Sequence, residues 1–152
     1  MRLVNLLMNY LRILILNMKG NEVSYHSKIW KNVIVHGSNL VIRKNSGIGD
    51  NVVIWANDRV YIGKGVLVAA NSVISSAGHP TSLGAKQEVV SEPISINDNC
   101  WIGANSTILP GVSMGADTIV AAGSVVNKKA NIFLSEGKVI VGGVPVRKIK
   151  NV

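Results

Sequence analysis

From Ile96 the chain reads INDNCW, IGANST, ILPGVS, MGADTI, VAAGSV, VNKKAN, six consecutive units of six residues ending at Asn131. The same frame runs earlier as IRKNSG, IGDNVV, IWANDR from Ile42 and as IGKGVL, VAANSV, ISSAGH from Ile62. All twelve first positions are aliphatic: Ile42, Ile48, Ile54, Ile62, Val68, Ile74, Ile96, Ile102, Ile108, Met114, Val120 and Val126. Fifth positions are small or Val, with Asp58 the exception, and ten of the twelve fourth positions are Asn, Gly or Asp. Those three residues tolerate a left-handed backbone at a turn. One large inward residue, one small inward residue and one turn residue describe a flat side of a triangular coil, and three sides make about 18 residues. Stacked coils pair through parallel strands about 4.8 Å apart. The pattern predicts about five coils and excludes an all-α domain, whose apolar positions do not recur every six residues.

The frame breaks twice. Two extra residues enter around Asp58–Tyr61, and residues 80–95 form an excursion that begins after His79-Pro80. Outside the frame, residues 1–20 hold an apolar stretch in which Arg2, Asn5, Asn9 and Arg12 recur at helical spacing. The spacing predicts an amphipathic helix whose wide apolar face, Leu3, Leu6, Leu7, Tyr10, Leu11 and Leu14, packs on its own protein or a sister subunit, or meets a membrane surface. Its length falls short of the roughly 20 apolar residues that span a bilayer. No small-residue cleavage site follows it, which weakens a signal-peptide reading. The expected organisation is thus a helix over 1–20, a repeat body over 21–131 with its excursion at 80–95, and a basic tail over 132–152.

Composition narrows the function. Among 152 residues, 47% are apolar and one is Cys, which excludes disorder, a disulfide framework and multi-cysteine metal sites. A single cysteine suits a reducing compartment. The net charge of +8 sits at the two ends: residues 1–20 carry three bases and no acid, residues 128–150 carry six bases against Glu136, and residues 21–127 balance. A basic stripe with stacking aromatics is missing, so no nucleic-acid partner is expected, while a phosphate-bearing small molecule or an anionic membrane fits.

The hexads, Ser-Ala-Gly-His-Pro at 76–80, Cys-Trp-Ile-Gly-Ala-Asn at 100–105, Ile108-Leu-Pro-Gly-Val112, Ala122-Gly-Ser-Val-Val126 and Gly143-Val-Pro145 resemble the hexapeptide-repeat acyltransferases, in particular the maltose, galactoside and polysaccharide O-acetyltransferases. The resemblance implies an all-β fold, a left-handed parallel β-helix with a short N-terminal α-helix and a C-terminal tail. Handedness comes from the resemblance alone, since parallel crossovers are usually right-handed. It further implies a homotrimer with sites between subunits, acetyl-coenzyme A as donor, no metal, and a sugar hydroxyl of a bacterial surface polysaccharide or its precursor as acceptor. The expected location is cytoplasmic, or peripheral on the inner membrane if the helix over 1–20 meets lipid. Alternatives are serine O-acetylation, amino-sugar N-acetylation, and a silent assembly protein; a zinc hydrase with three converging histidines is weakly supported, because His26, His36 and His79 do not align in the frame.

Candidate residues follow. By its Gly-His-Pro setting, His79 matches the family's catalytic histidine, and imidazole suits removal of a hydroxyl proton. The resemblance places the donor along Gly103, Ala104, Ala121, Ala122 and Gly123, where small residues leave backbone accessible, with Trp101 near the thioester. Glycine at 103 and 123 is equally explained by turn geometry. Lys128, Arg147 and Lys148 are expected to meet the nucleotide's phosphates, although the tail departs from the family pattern at Asn127-Lys128-Lys129-Ala130 and at Val146. Asn57, Asp58 and Lys86, at the two breaks in the frame, are the expected acceptor contacts. Cys100, in an inward position, is expected to pack in the core.

Overall fold

The computed structural model describes residues 2–80 and 88–152. All twelve hexad first positions are buried at 2% exposure or less, and they line the interior of a three-sided parallel β-solenoid. Burying each such Ile or Val contributes roughly 1.5–3 kcal/mol. The first face stacks Glu22–Val23, Leu40–Ile42, Val60–Ile62, Ile94–Ile96 and Ser113–Met114. The second stacks Lys28–Ile29, Gly47–Ile48, Leu67–Val68, Trp101–Ile102 and Ile119–Val120, and the third stacks Ile34–Gly37, Val53–Ala56, Val73–Ser75, Thr107–Ile108 and Val125–Val126. Five coils result, as the repeat count predicts.

The register reproduces both breaks. On the first face, Ser95 lies beside Ser113, an advance of 18 residues, whereas Val41 lies beside Tyr61, an advance of 20, and Tyr61 beside Ser95, an advance of 34. Two inserted residues and a 16-residue excursion account for the differences. Nine of the ten Asn, Gly or Asp fourth positions adopt φ between 57° and 77°, which places them at the left-handed corners. Asn57, next to the two-residue insertion, is the one that does not. Asparagines at one corner also bond along the axis: Asn32 Nδ2 donates to Asn51 Oδ1, and Asn51 Nδ2 to Asn71 Oδ1, each at 3.1 Å. Inside, the hydroxyls of Ser46, Ser72, Ser106, Thr118 and Ser124 all donate to backbone carbonyls, so small polar residues enter the core without an unsatisfied group.

Residues 132–152 fold onto the body. A short helix, Asn131–Leu134, caps the first face. Strand Val139–Gly142 then extends the second face in parallel with Ile119–Val120, and Arg147–Asn151 returns antiparallel beside it.

At the other end, helix α1 (Arg2–Met18) crosses the open edge of the first coil. The side chains it turns inward are Asn9, Arg12, Ile13, Leu16 and Asn17, so of the three expected partners of the wide apolar face the chain's own body is excluded. Asn9 Oδ1 accepts from the Ile29 N–H at 2.7 Å while its Nδ2 donates to the Ser27 carbonyl at 3.0 Å. Asn17 does the same with the N–H and carbonyl of Val23, and Arg12 Nη1 donates to the Ile29 carbonyl. Strands Glu22–Val23 and Lys28–Ile29 have a neighbouring coil on one side only, so their other edge presents unpaired amides and carbonyls. Each asparagine amide turns one N–H and its carbonyl oxygen to the strand in the spacing of a peptide group, and stands in for the missing coil. Ile13, fully buried, and the half-buried Leu16 close the end of the core between them. Leu3, Leu6, Leu7, Tyr10, Leu11 and Leu14 all remain exposed.

Candidate active site

After strand Val73–Ser75 the chain leaves the solenoid at the corner between the third and first faces. Ala77–Gly78 pairs antiparallel with Val90–Ser91, so the excursion is rooted in the coil by a short two-stranded ribbon. Ser76, fully buried at its base, ties it down: its hydroxyl lies 2.9 Å from the Trp55 carbonyl and accepts from the Asp58 N–H at 3.0 Å, and the Glu92 N–H donates to the Ser76 carbonyl. His79 follows the ribbon strand, with its ring exposed and Nδ1 2.8 Å from the Glu88 carbonyl oxygen. A carbonyl can only accept, so Nδ1 carries the proton in this contact. The Nε2 lone pair is thereby left free, the arrangement a general base requires.

Around this corner lie several expected residues. Asn57 is exposed, and its carbonyl accepts from Asn39 Nδ2. Asp58 sits in a position that is small or Val in every other hexad, but the insertion turns its carboxylate onto the Arg59 N–H at 2.6 Å. A groove of about 710 Å³ starts at Glu92 and Gly111 of the same corner and runs across the first face past Arg59, Tyr61 and Ser95. Lys86 lies outside the described residues. Lys128, expected to meet phosphate, bonds through Nζ to Glu92 Oε1 at 2.6 Å, an ion pair that bridges the excursion to the last coil.

The donor-side residues lie elsewhere on the chain. Ala104 is half-buried and Ala122 and Gly123 are exposed, all at the corner between the second and third faces, one hexad or roughly 15–20 Å of extended backbone from the His79 corner. A Cβ at Gly123 would meet nothing within 4 Å, so the ledge is open to a ligand. Gly103 is different. It is buried, and a Cβ there would lie 2.5 Å from the Ala122 amide nitrogen and 2.8 Å from the Ala121 carbonyl carbon, so its smallness serves the approach of two coils. Ala121 is half-buried above it. Trp101 points out from the second face, half-exposed beside Leu67, while Cys100 next to it is buried. Burial pushes the Cys100 thiol up to about 11, and its Sγ contacts the Gly115 carbonyl at 3.2 Å. Arg147 and Lys148 are exposed on the terminal strand that continues the second face.

Two further features were absent from the sequence reading. The Glu88 carbonyl, which orients His79, is a backbone group in a non-repeating segment and gave no signal. His36 stacks on Trp55 at 3.9 Å between ring centroids on the third face, a pair that the register of Ile34–Gly37 against Val53–Ala56 could have revealed. Among the described residues no three His, Cys, Asp or Glu side chains are grouped to hold a metal ion.

Hexads that turn at residues of positive φ around an aliphatic interior, interrupted by one excursion that carries a histidine, define a three-sided parallel β-solenoid of the hexapeptide-repeat class. A family model described as the hexapeptide repeat of succinyl-transferase matches residues 93–128. The chain is 37% identical over 119 residues to the galactoside O-acetyltransferase of Escherichia coli K12, covering 77% of this chain and 56% of that protein. A hexapeptide-repeat acetyltransferase from Vibrio cholerae O1 biovar eltor, crystallised with acetyl-coenzyme A, superposes with a TM-score of 0.80 at 28% identity, covering 92% of this chain and 75% of the other. A maltose O-acetyltransferase from Clostridium difficile 630 gives 0.81 at 27% identity, with 93% and 74% covered. The chain spans about half the length of the curated relatives it matches.

Proposed function

We propose that the protein is an acetyl-coenzyme A-dependent O-acetyltransferase that modifies a sugar hydroxyl of a bacterial surface polysaccharide or its precursor, at the cytoplasmic face of the inner membrane. The observation that carries the reading is the Nδ1 contact of His79 with the Glu88 carbonyl, which leaves Nε2 as an exposed base on a ribbon beside a groove. Acetyl-coenzyme A supplies an activated acyl carbon and a thiol leaving group. His79 Nε2 takes the proton as the acceptor oxygen attacks that carbon, and the imidazolium returns it to the departing sulfur. A backbone N–H at the site stabilises the charge that develops on the acyl oxygen. The Glu88 carbonyl fixes the orientation of the ring by accepting from Nδ1. Asn57 and Asp58, tied through Ser76 to the ribbon, position the acceptor, with Lys86 from the excursion.

The donor lies along Ala104, Ala121, Ala122 and Gly123, with Gly103 setting the coil spacing beneath it, Trp101 beside the pantetheine arm, and Arg147 and Lys148 at the phosphates. Because the His79 corner and this ledge are separated by a whole face in one chain, they form one site only across a subunit boundary. Exposed apolar side chains on the second face (Leu67, Trp101) and the third (Ile34, Trp55) support a homotrimer in which unlike faces meet. The test is calorimetric binding of acetyl-coenzyme A followed by thiol release with a panel of sugars. His79→Ala is expected to bind the donor within about threefold of wild type and to lose 10²–10⁴-fold in thiol release. Full activity in a folded His79→Ala protein would refute the base.

A further inference from the structure

Helix α1 presents two faces, and the solenoid uses the wrong one for an ordinary surface helix. Its amides and Arg12 satisfy the open edge of the first coil, and this fixes the rotation of the helix about its axis. Leu3, Leu7, Leu11 and Leu14 then look away from the coils, with Leu6 and Tyr10 flanking them at the coil edge. Leu3 is 78% exposed and Leu7 66% exposed. A continuous apolar strip of this length on a folded chain marks a binding surface.

Charge around the strip selects its partner. Seven of the sixteen Lys and Arg fall within residues 1–49, against one of the eight acids, Glu22. Beside the helix, a groove of about 650 Å³ combines Leu6, Met8 and Trp30 with Arg12, Lys28 and Lys31. Tyr10 of the helix stacks on Tyr25 of the first coil, with centroids 4.9 Å apart, placing two more amphipathic rings at the edge of the strip. Apolar side chains in the middle, aromatic rings and cations at the border, and no helix long and apolar enough to cross a membrane describe an element that lies in the headgroup layer of an anionic bilayer. A second copy packed end to end would bring two strongly basic ends together, which disfavours it.

We propose that the outer face of α1 docks the protein on anionic lipid, with the solenoid axis directed away from the bilayer. The inference does not depend on the acetyltransferase reading. It is tested by co-sedimentation of the full chain with vesicles of 30 mol% phosphatidylglycerol in phosphatidylcholine, with pure phosphatidylcholine as control, for wild type, Leu3→Gln/Leu7→Gln and Lys28→Gln/Lys31→Gln. Circular dichroism and sedimentation velocity confirm that each variant is folded and report its assembly. Wild type is expected to partition onto the anionic vesicles at least tenfold better than onto the neutral ones, and each double variant to lose at least tenfold of that partitioning. Absence of binding by wild type, or equal binding by the leucine variant, would overturn the proposal. So would an end-to-end assembly of wild type that Leu3→Gln/Leu7→Gln dissociates while vesicle binding is absent.

Discussion

Asn9→Leu tests the account of the N-terminal cap directly. The substitution keeps the side chain's shape and replaces a middling helix former with a better one, so intrinsic helicity works in the variant's favour. What it removes is the pair of hydrogen bonds to the Ile29 N–H and the Ser27 carbonyl, and it leaves both backbone groups beneath an apolar side chain. An unsatisfied buried group costs about 1–3 kcal/mol. Both groups here are part-buried and admit some water, so about 1 kcal/mol each, or about 2 kcal/mol together, is the fitting figure. Solenoids open from their ends, so the effect is local: amide exchange of Ile29 should accelerate by roughly 30-fold, with residues of the fourth and fifth coils unchanged. The partner experiment is Leu7→Gln, which alters an exposed side chain and should leave Ile29 exchange within about twofold. An ordinary reading of helix amphipathicity predicts the reverse order. If Leu7→Gln accelerates Ile29 exchange more than Asn9→Leu does, the docking of the polar stripe is refuted.

Gly103→Ala and Gly123→Ala should separate coil packing from ligand contact. The first drives a Cβ to 2.5 Å from the Ala122 backbone and should cost about 1–3 kcal/mol in chemical unfolding; the second meets open space and carries only the left-handed penalty of about 1–2 kcal/mol at φ +71°. A Gly123→Ala protein whose acetyl-coenzyme A affinity drops at least fivefold while Gly103→Ala loses mainly stability is the expected pattern, measured by calorimetry and denaturant titration; equal stability of Gly103→Ala and wild type would contradict the packing argument. Cys100 should resist thiol-specific reagents at pH 8 until the chain unfolds. Because burial raises its folded value to about 11 against the ordinary 9.0, the protonated thiol favours the folded state: this contribution is whole below pH 9 and is lost between pH 9 and 11, a fall of roughly 3 kcal/mol that Cys100→Ala should abolish in unfolding measurements across that range. The Lys128–Glu92 pair is exposed on both sides, so Lys128→Met should change stability by no more than about 1 kcal/mol in thermal melts, and a larger loss would mean that the excursion depends on it.

The repeat body was readable because each hexad meets the same environment eighteen residues on. Ile, small residue and Asn or Gly each report a position in the coil, so register, corner and interior follow from spacing alone, and Cys100 and Trp101 fall on opposite sides as their places require. Reading fails where the environment stops repeating. At the His79 corner the residue type marks a base, but the group that fixes its tautomer is a backbone carbonyl nine residues away, and no side-chain identity encodes it. Lys128 was matched by charge to a phosphate, and an equally available acid, Glu92, reaches it first because both stand beside Gly111 at one corner of the solenoid.

The helix shows the limit in its sharpest form. Hydrophobic periodicity establishes that α1 has two unlike faces, and packing of the apolar one on its own body would require an apolar surface there to receive it. The flank of a solenoid fits that assumption, but its end does not, because the last strands there carry unpaired peptide groups around a small opening into the core. A matching surface is a row of amides with one aliphatic plug, and Asn9, Ile13 and Asn17 are that row at i, i+4 and i+8, one above the other on the helix. The pattern was in the sequence, and what decides its meaning is the polarity of the surface it meets.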